Sequence, residues 1–165
     1  MIHEVEGDIL LSSANTIAHG VAPGDHFEQG LALALRERWP AMVKDFRHHC
    51  HVSHPEPGAL WSWPMPDGRR IVNLLTQPAA AGAHSHGHPG RAHLEHVNAA
   101  LRALHRFVTD EHVTSLALPR LATGVGGLAW TDVQPLLAKH LGDLKIPIYV
   151  YTTYRQGVKA NEPTR

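Results

Sequence analysis

The sequence is poor in several things. It has one cysteine, Cys50, in 165 residues, so no disulfide can form within the chain, and a lone thiol suits a reducing compartment. It carries no net charge, because 15 Lys and Arg are balanced by 15 Asp and Glu. That balance excludes a uniformly basic domain that grips nucleic-acid backbone, while leaving room for a local patch. No apolar run approaches the roughly 18 residues that span a bilayer. The start, Met1-Ile2-His3-Glu4-Val5, lacks the charged-then-apolar layout of a secretory signal. The expected setting is therefore the cytoplasm, with no membrane partner. What the chain does have is 43% hydrophobic residues, enough for one good core, and 15 histidines.

Apolar spacing divides the chain into alternating strands and helices. Ile2, Val5 and Ile9-Leu10-Leu11 predict an opening strand with a turn at Gly7-Asp8, and Thr16 to His19 predicts a second. A loop from Gly20 to Gly30 precedes a helix through Leu31, Ala34, Leu35 and Arg38, which Trp39-Pro40 ends or kinks. Another helical piece runs from Ala41 to about His49. Ala59 to Trp63 and Arg70 to Leu75 read as a hairpin around Pro64–Gly68. Leu94, Val97, Leu101, Leu104 and Val108 step by three and four, as one face of a helix does. Thr114 to Leu118 and Ile146 to Tyr151 predict strands, and Val133, Leu136, Leu137 and Leu141 predict the helix between them. Thr131 and Gln134 can form its capping box. Residues 155–165 have the composition of a disordered polar tail. Continuous apolar strands between helices argue for an α/β fold in three layers, with ligands at the carboxyl ends of the strands.

The segment Leu116 to Trp130 carries the most chemistry. An apolar strand runs into Thr123-Gly124-Val125-Gly126-Gly127, with a helix start close behind. Backbone without side chains exposes N–H groups, and a following helix adds its positive end, so such a loop cradles phosphate. Three glycines in four residues exceed what a plain strand-to-helix turn requires. No Gly-Lys-Ser/Thr follows, so this is not a P-loop, and it lies too late in the chain for a dinucleotide fingerprint. Asp8, at the end of the first strand, is either a turn residue or an acceptor for an exocyclic amine such as that of adenine.

Six segments occur in an order that resembles the macrodomains, modules that bind ADP-ribose. They are Val5-Glu6-Gly7-Asp8-Ile9-Leu10, Ile17-Ala18-His19-Gly20-Val21, Gly30-Leu31-Ala32, Asn73-Leu74-Leu75-Thr76, Leu118 through Trp130, and Ile148-Tyr149-Val150-Tyr151. The resemblance is to the branch that holds hydrolases acting on ADP-ribosylated glutamate and on ADP-ribosylated DNA bases, with the ADP-ribose 1″-phosphate phosphatase as a relative. It implies a three-layer α/β/α macrodomain over residues 1–154, with a mixed, mostly parallel sheet, and a tail over 155–165. It further implies that Asp8 accepts from the adenine amino group, with the Ile9 backbone beside it. His19, Gly20 and Val21 then begin the first ligand loop near the distal ribose, and Gly30 lets that loop approach the diphosphate. Thr123, Gly124, Val125, Gly126 and Gly127 wrap the diphosphate from the other side, and Tyr151 or Tyr154 flanks adenine. The implied partners are ADP-ribose, free or on a protein or nucleic acid, and an ADP-ribosyltransferase; no cofactor and no metal is implied.

Two departures bear on turnover. Gln77 stands where the related hydrolases have a lysine, and an amide cannot act as an amine nucleophile. Gly126 stands where the glutamate-directed enzyme has an aspartate. In the first loop Glu28 replaces a glycine, which leaves Asp25, His26 and Glu28 as candidate general bases for water attack. The plain alternative is a turn aspartate and an exposed histidine, with the chain a non-catalytic reader. Of the remaining motifs, the cluster His48, His49, Cys50, His51 and His54 and the group His84, His86, His88 and His93 read as solvated histidines rather than a tetrahedral zinc site. On a helix only pairs such as His48 and His51 share a face. Trp39, Trp61, Trp63 and Trp130 read as packing residues, and Arg120 as either a phosphate partner or half of a salt bridge.

Overall fold

The computed structural model describes residues 1–79 and 90–164. Strands β1 (Ile2–Gly7), β2 (Thr16–Val21), β3 (Leu60–Pro64), β4 (Arg70–Leu75), β5 (Leu116–Pro119) and β6 (Ile148–Tyr154) form one sheet in the order β1-β6-β5-β2-β4-β3. Only β3 runs antiparallel to its neighbour; the other pairs are parallel. Helices α1 (Gly30–Arg38) and α2 (Pro40–Ser53) cover one face, and α3 (Leu94–Asp110) and α4 (Trp130–Leu141) the other. This is the expected three-layer α/β/α arrangement.

The strands are apolar throughout because both faces are buried, and their residues alternate between two cores. Ile17, Ile71, Leu75, Ala117 and Tyr149 pack toward α1 and α2, against Phe27, Leu35, Met42 and Phe46. Their neighbours Ala18, Val72, Leu74, Leu118 and Val150 pack toward α3 and α4, against Leu101, Leu104, Val133 and Leu137. Trp39-Pro40 ends α1 as expected, and Pro40 opens α2 at its first position, where a missing N–H costs nothing. None of the helices among the described residues is long and apolar enough to cross a membrane.

Two expectations fail. The α4 helix starts at Trp130 with Ala129 as its cap and no side-chain cap bond, so Thr131 lies inside the first turn and the capping box does not form. The tail is not a loose end either. Val158 O accepts from Asp8 N at 2.7 Å, Ala160 is buried against Gly7, and the Glu162 carboxylate accepts from Ser12 Oγ at 2.6 Å and Ser13 N at 2.9 Å. Polar side chains concealed a strap that folds back over β1 and the turn behind it.

Candidate functional site

Two loops at the carboxyl ends of the parallel strands face each other. Residues 22–29 join β2 to α1, and residues 120–129 join β5 to α4. Between them lies a polar cleft of about 350 Å³. It continues into an apolar pocket of about 360 Å³ walled by Ile9, Leu31, Ala34, Tyr151 and Tyr154. Gly30, Leu31, Pro119, Tyr151 and Tyr154 border both, so the two spaces form one bent channel.

Backbone forms the second loop's wall. The chain bends at Ala122, whose φ is +62°, and closes through Leu128 N to Ala122 O at 2.9 Å and Gly127 N to Gly124 O at 3.1 Å. Thr123 Oγ1 donates to Arg120 O, so the hydroxyl serves the loop. Among the described residues, nothing accepts from the N–H groups of Gly124, Val125 and Gly126. Consecutive free N–H groups of this kind bind anions. A side chain cannot replace Gly126, where a Cβ would stand 2.6 Å from Ala122 O and 2.9 Å from Ala92 Cβ. The aspartate that the glutamate-directed hydrolase keeps at this place has no room here. Gly124 has open space instead. Arg120 lines the cleft with its guanidinium 5.6 Å from the Trp130 ring, a cation–π pair, and no carboxylate among the described residues pairs with it.

The opposite wall is the start of α1. Gln29 occupies the cap position without a side-chain bond, and Gly30 takes a φ of +59°. The N–H groups of Gly30, Leu31 and Ala32 have no acceptor among the described residues, as expected for the first turn of a helix, and all three residues line the cleft. This wall depends on Asp25. Its Oδ1 accepts from Phe27 N at 2.8 Å and its Oδ2 from Ala22 N at 3.2 Å, which holds Phe27 at a φ of +58° in the core. Burial raises the Asp25 pKa above its ordinary 3.8, against the lowering effect of those two N–H groups. Asp25 is thus the loop's internal clamp.

His19 lies at the floor of the cleft, hydrogen-bonded to a fully buried Asn73. His19 on β2 sits directly across from Asn73 on β4, and its Nε2 lies 2.6 Å from Asn73 Oδ1. Asn73 in turn donates through Nδ2 to Trp61 O at 3.4 Å, so its oxygen is the acceptor and His19 Nε2 the donor. Burial drives the His19 pKa from 6.5 to about 4, leaving a neutral ring with Nδ1 as an acceptor. Both residues are polar islands in apolar runs, which is the signal that could have paired them from the sequence. Gln77 lines the cleft beside His19, and its Nε2 donates to Gly90 O at 2.9 Å, bracing the chain that leads to α3.

At the apolar end, Asp8 accepts from Leu10 N and Gly157 N, both at 3.0 Å. Asp8 lies under the pocket rather than in its wall, while Ile9 lines it. Tyr151 is buried with its hydroxyl donated to Glu162 at 2.6 Å, and Tyr154 is 58% exposed at the rim. Burial and Glu162 together push the Tyr151 pKa far up, so the hydroxyl remains a donor.

Of the expected site residues, His19, Gly20, Asp25, Glu28, Gly30, Thr123, Gly124, Val125, Gly126, Tyr151 and Tyr154 border the cleft. Val21 is buried in the core below it, and Gly127 closes the turn behind the loop. His26 turns away: it lines a groove on the outer side of the loop, 3.8 Å from Glu28. His48 and His51 share that groove while His49 stacks on Trp61. No group of three metal-ligating side chains occurs among the described residues, and His84, His86 and His88 lie outside them.

Sheet order, helix layers and a cleft between two such loops define the macrodomain fold, and this chain has it. It superposes on the macrodomain of Mycobacterium tuberculosis DarG with a TM-score of 0.79 at 24% identity, over 92% of this chain and 97% of that one. Thermosipho africanus DarTG in complex with ADP-ribose matches with a TM-score of 0.77 at 22% identity, over 96% of this chain and 42% of that one. In sequence, the chain is 27% identical over 157 residues to a DNA ADP-ribosyl transferase-DNA ADP-ribosyl glycohydrolase fusion protein of Thermosipho africanus, covering 89% of this chain and 40% of that protein. A DNA ADP-ribosyl glycohydrolase of Thermus aquaticus is 25% identical over 92% of this chain and 41% of its own length. The chain thus spans about two fifths of the curated relatives it matches. No protein-family model matches it.

Proposed function

We propose that this chain binds ADP-ribose in the bent channel. The observation that carries the reading is the opposition of two N–H rows without an acceptor among the described residues, Gly30 to Ala32 on one wall and Gly124 to Gly126 on the other. A diphosphate between them accepts from both, and Arg120, which pairs with no carboxylate among the described residues, adds positive charge at the rim. Adenine enters the apolar pocket against Tyr154, with the Ile9 N–H at its edge and Asp8 below, where its carboxylate holds the N–H groups of Leu10 and Gly157 rather than the base. The distal ribose then reaches the His19, Gln77 and Glu28 end. The ADP-ribose in the Thermosipho structure supports this reading.

Hydrolytic release from a macromolecular carrier is the reaction this site suits, as the names of the sequence relatives also suggest. Asp25 has both oxygens committed to backbone, and His26 faces the other way. Glu28 is the cleft carboxylate able to take a proton from water attacking the anomeric carbon, as the bond to the carrier breaks. The fused transferase of the Thermosipho relative supports an ADP-ribosyltransferase as partner. One observation favours a reader without turnover: Gln77, at the lysine position of related hydrolases, is tied to Gly90 O.

Calorimetry with ADP-ribose tests binding. Gly124→Glu places charge in the anion cradle where there is open space, and the expected outcome is an affinity loss of about 100-fold with an unchanged melting temperature. Undiminished binding by that variant removes the loop from the site. Turnover is tested by parallel incubation with ADP-ribosylated DNA, ADP-ribosylated protein and ADP-ribose 1″-phosphate. Product that Glu28→Gln suppresses supports the hydrolase; binding without any product establishes the reader, and release of phosphate alone points to a phosphatase.

A further inference from the structure

The base end of the channel has a carboxylate close by, but the fold has already engaged it. Asp8 is 6% exposed and borders neither the apolar pocket nor the polar cleft. It caps the turn Ile9–Leu11 through Oδ1, which accepts from Leu10 N, while Oδ2 accepts from Gly157 N. That second donor belongs to the strap, which is firmly seated. Arg155 N donates to Gly7 O at 3.0 Å, Val158 N to Arg155 O at 3.1 Å and Asp8 N to Val158 O at 2.7 Å. Gly157 makes the turn at a φ of +74°. A Cβ at Gly7 would stand 2.8 Å from both Ala160 N and Val158 O, so the strap lies against bare backbone. Asp8 is locked between its own turn and the strap.

What remains to meet a base is apolar. Ile9, Leu31, Ala34, Pro119 and Tyr151 line the pocket with Tyr154, and no side-chain amide or carboxylate is among the lining residues. The Tyr151 hydroxyl is donated to Glu162. The Ile9 N–H has no acceptor among the described residues, which leaves one donor for a purine ring nitrogen. An exocyclic amine pressed against these walls loses its water and gains no acceptor, a net cost. Turned to the mouth, where Tyr154 is 58% exposed, it keeps that water. We infer that the pocket recognises the purine ring and leaves its 6-amino group unread. The ligand class is then a purine nucleoside diphosphate ribose, with or without that amine. The inference rests on the ADP-ribose reading of the channel.

The test is calorimetry of the full chain with two ligands. One is ADP-ribose; the other is purine riboside diphosphate ribose, which differs only in carrying hydrogen in place of the 6-amino group. The expected affinities agree within about threefold, because no hydrogen bond to the protein is lost. A carboxylate that accepted from the amine would make its removal cost at least about tenfold. Asp8→Asn should loosen the turn and the strap, and so weaken both ligands by the same factor. A wild-type preference for ADP-ribose of tenfold or more overturns the inference and leaves the channel reading in place. So does an Asp8→Asn chain that loses ADP-ribose affinity and keeps that for the analogue. The wild-type ratio decides alone if the variant does not fold. If neither ligand binds, the channel reading itself fails, and this inference with it.

Discussion

The start of α1 and loop 120–129 present similar rows of N–H groups that have no acceptor among the described residues, and the loops that carry them, 22–29 and 120–129, each bend at one non-glycine residue of positive φ, Phe27 and Ala122. They reach that posture by different means. The first is held by an ionisable side chain, Asp25, and rests on a second titratable residue, His19, whose ring meets Phe27 edge-on at 5.5 Å. The second is held by backbone bonds and by the absence of a Cβ at Gly126. One wall therefore answers to pH, and the other to volume.

The largest expected effect is on the titratable side. His19 has a pKa of about 4 in the native chain against an ordinary 6.5. Between those values the unfolded chain binds a proton that the native chain refuses, so the stability His19 contributes is full above pH 6.5 and is lost as pH falls to 4. The loss is about 3 kcal/mol. Urea unfolding across that range should show it, and His19→Gln should remove it; an equally steep fall in the variant sinks the assignment. Asp25 acts in the opposite sense, because its raised pKa makes the native chain the better proton acceptor on acidification.

Next comes Gly126→Ala, which forces a Cβ to 2.6 Å from Ala122 O. Rearrangement of the loop should cost about 2–3 kcal/mol and lower ADP-ribose affinity correspondingly, by up to about 100-fold. Asp25→Ala strands the N–H groups of Ala22 and Phe27 and should cost about 2 kcal/mol in stability, with Asp25→Asn costing less because one acceptor remains. Thermal unfolding ranks them. Gly124→Ala is the smallest, within about 0.5 kcal/mol of wild type by the same measurement, because nothing stands near the added methyl. Equal damage from alanine at 124 and 126 would mean that crowding does not shape the second wall.

The same contrast explains what was legible in the sequence. A wall made by missing side chains shows itself as glycine, so the 120–129 loop could be read directly, as could the layers from apolar periodicity. A wall made by a buried carboxylate looks like a catalytic residue until the loop's N–H groups are seen to need acceptors two residues after Asp25 and three before it. His19 and Asn73 meet only because β2 and β4 pair in that register, 54 residues apart in the chain. Glu162 finds Tyr151 and Ser12 through a fold-back that polar composition does not announce.

That fold-back sets an order of assembly. By residue 154 all six strands and both walls of the cleft have been synthesised. The acceptor for the Tyr151 hydroxyl is Glu162, and the Asp8 carboxylate gains its second N–H from Gly157. A nascent chain can thus possess the whole sheet while the apolar pocket beside Tyr151 still lacks its backing. The pocket beside Tyr151 is therefore completed by residues 155–162, after the sheet and not along with it.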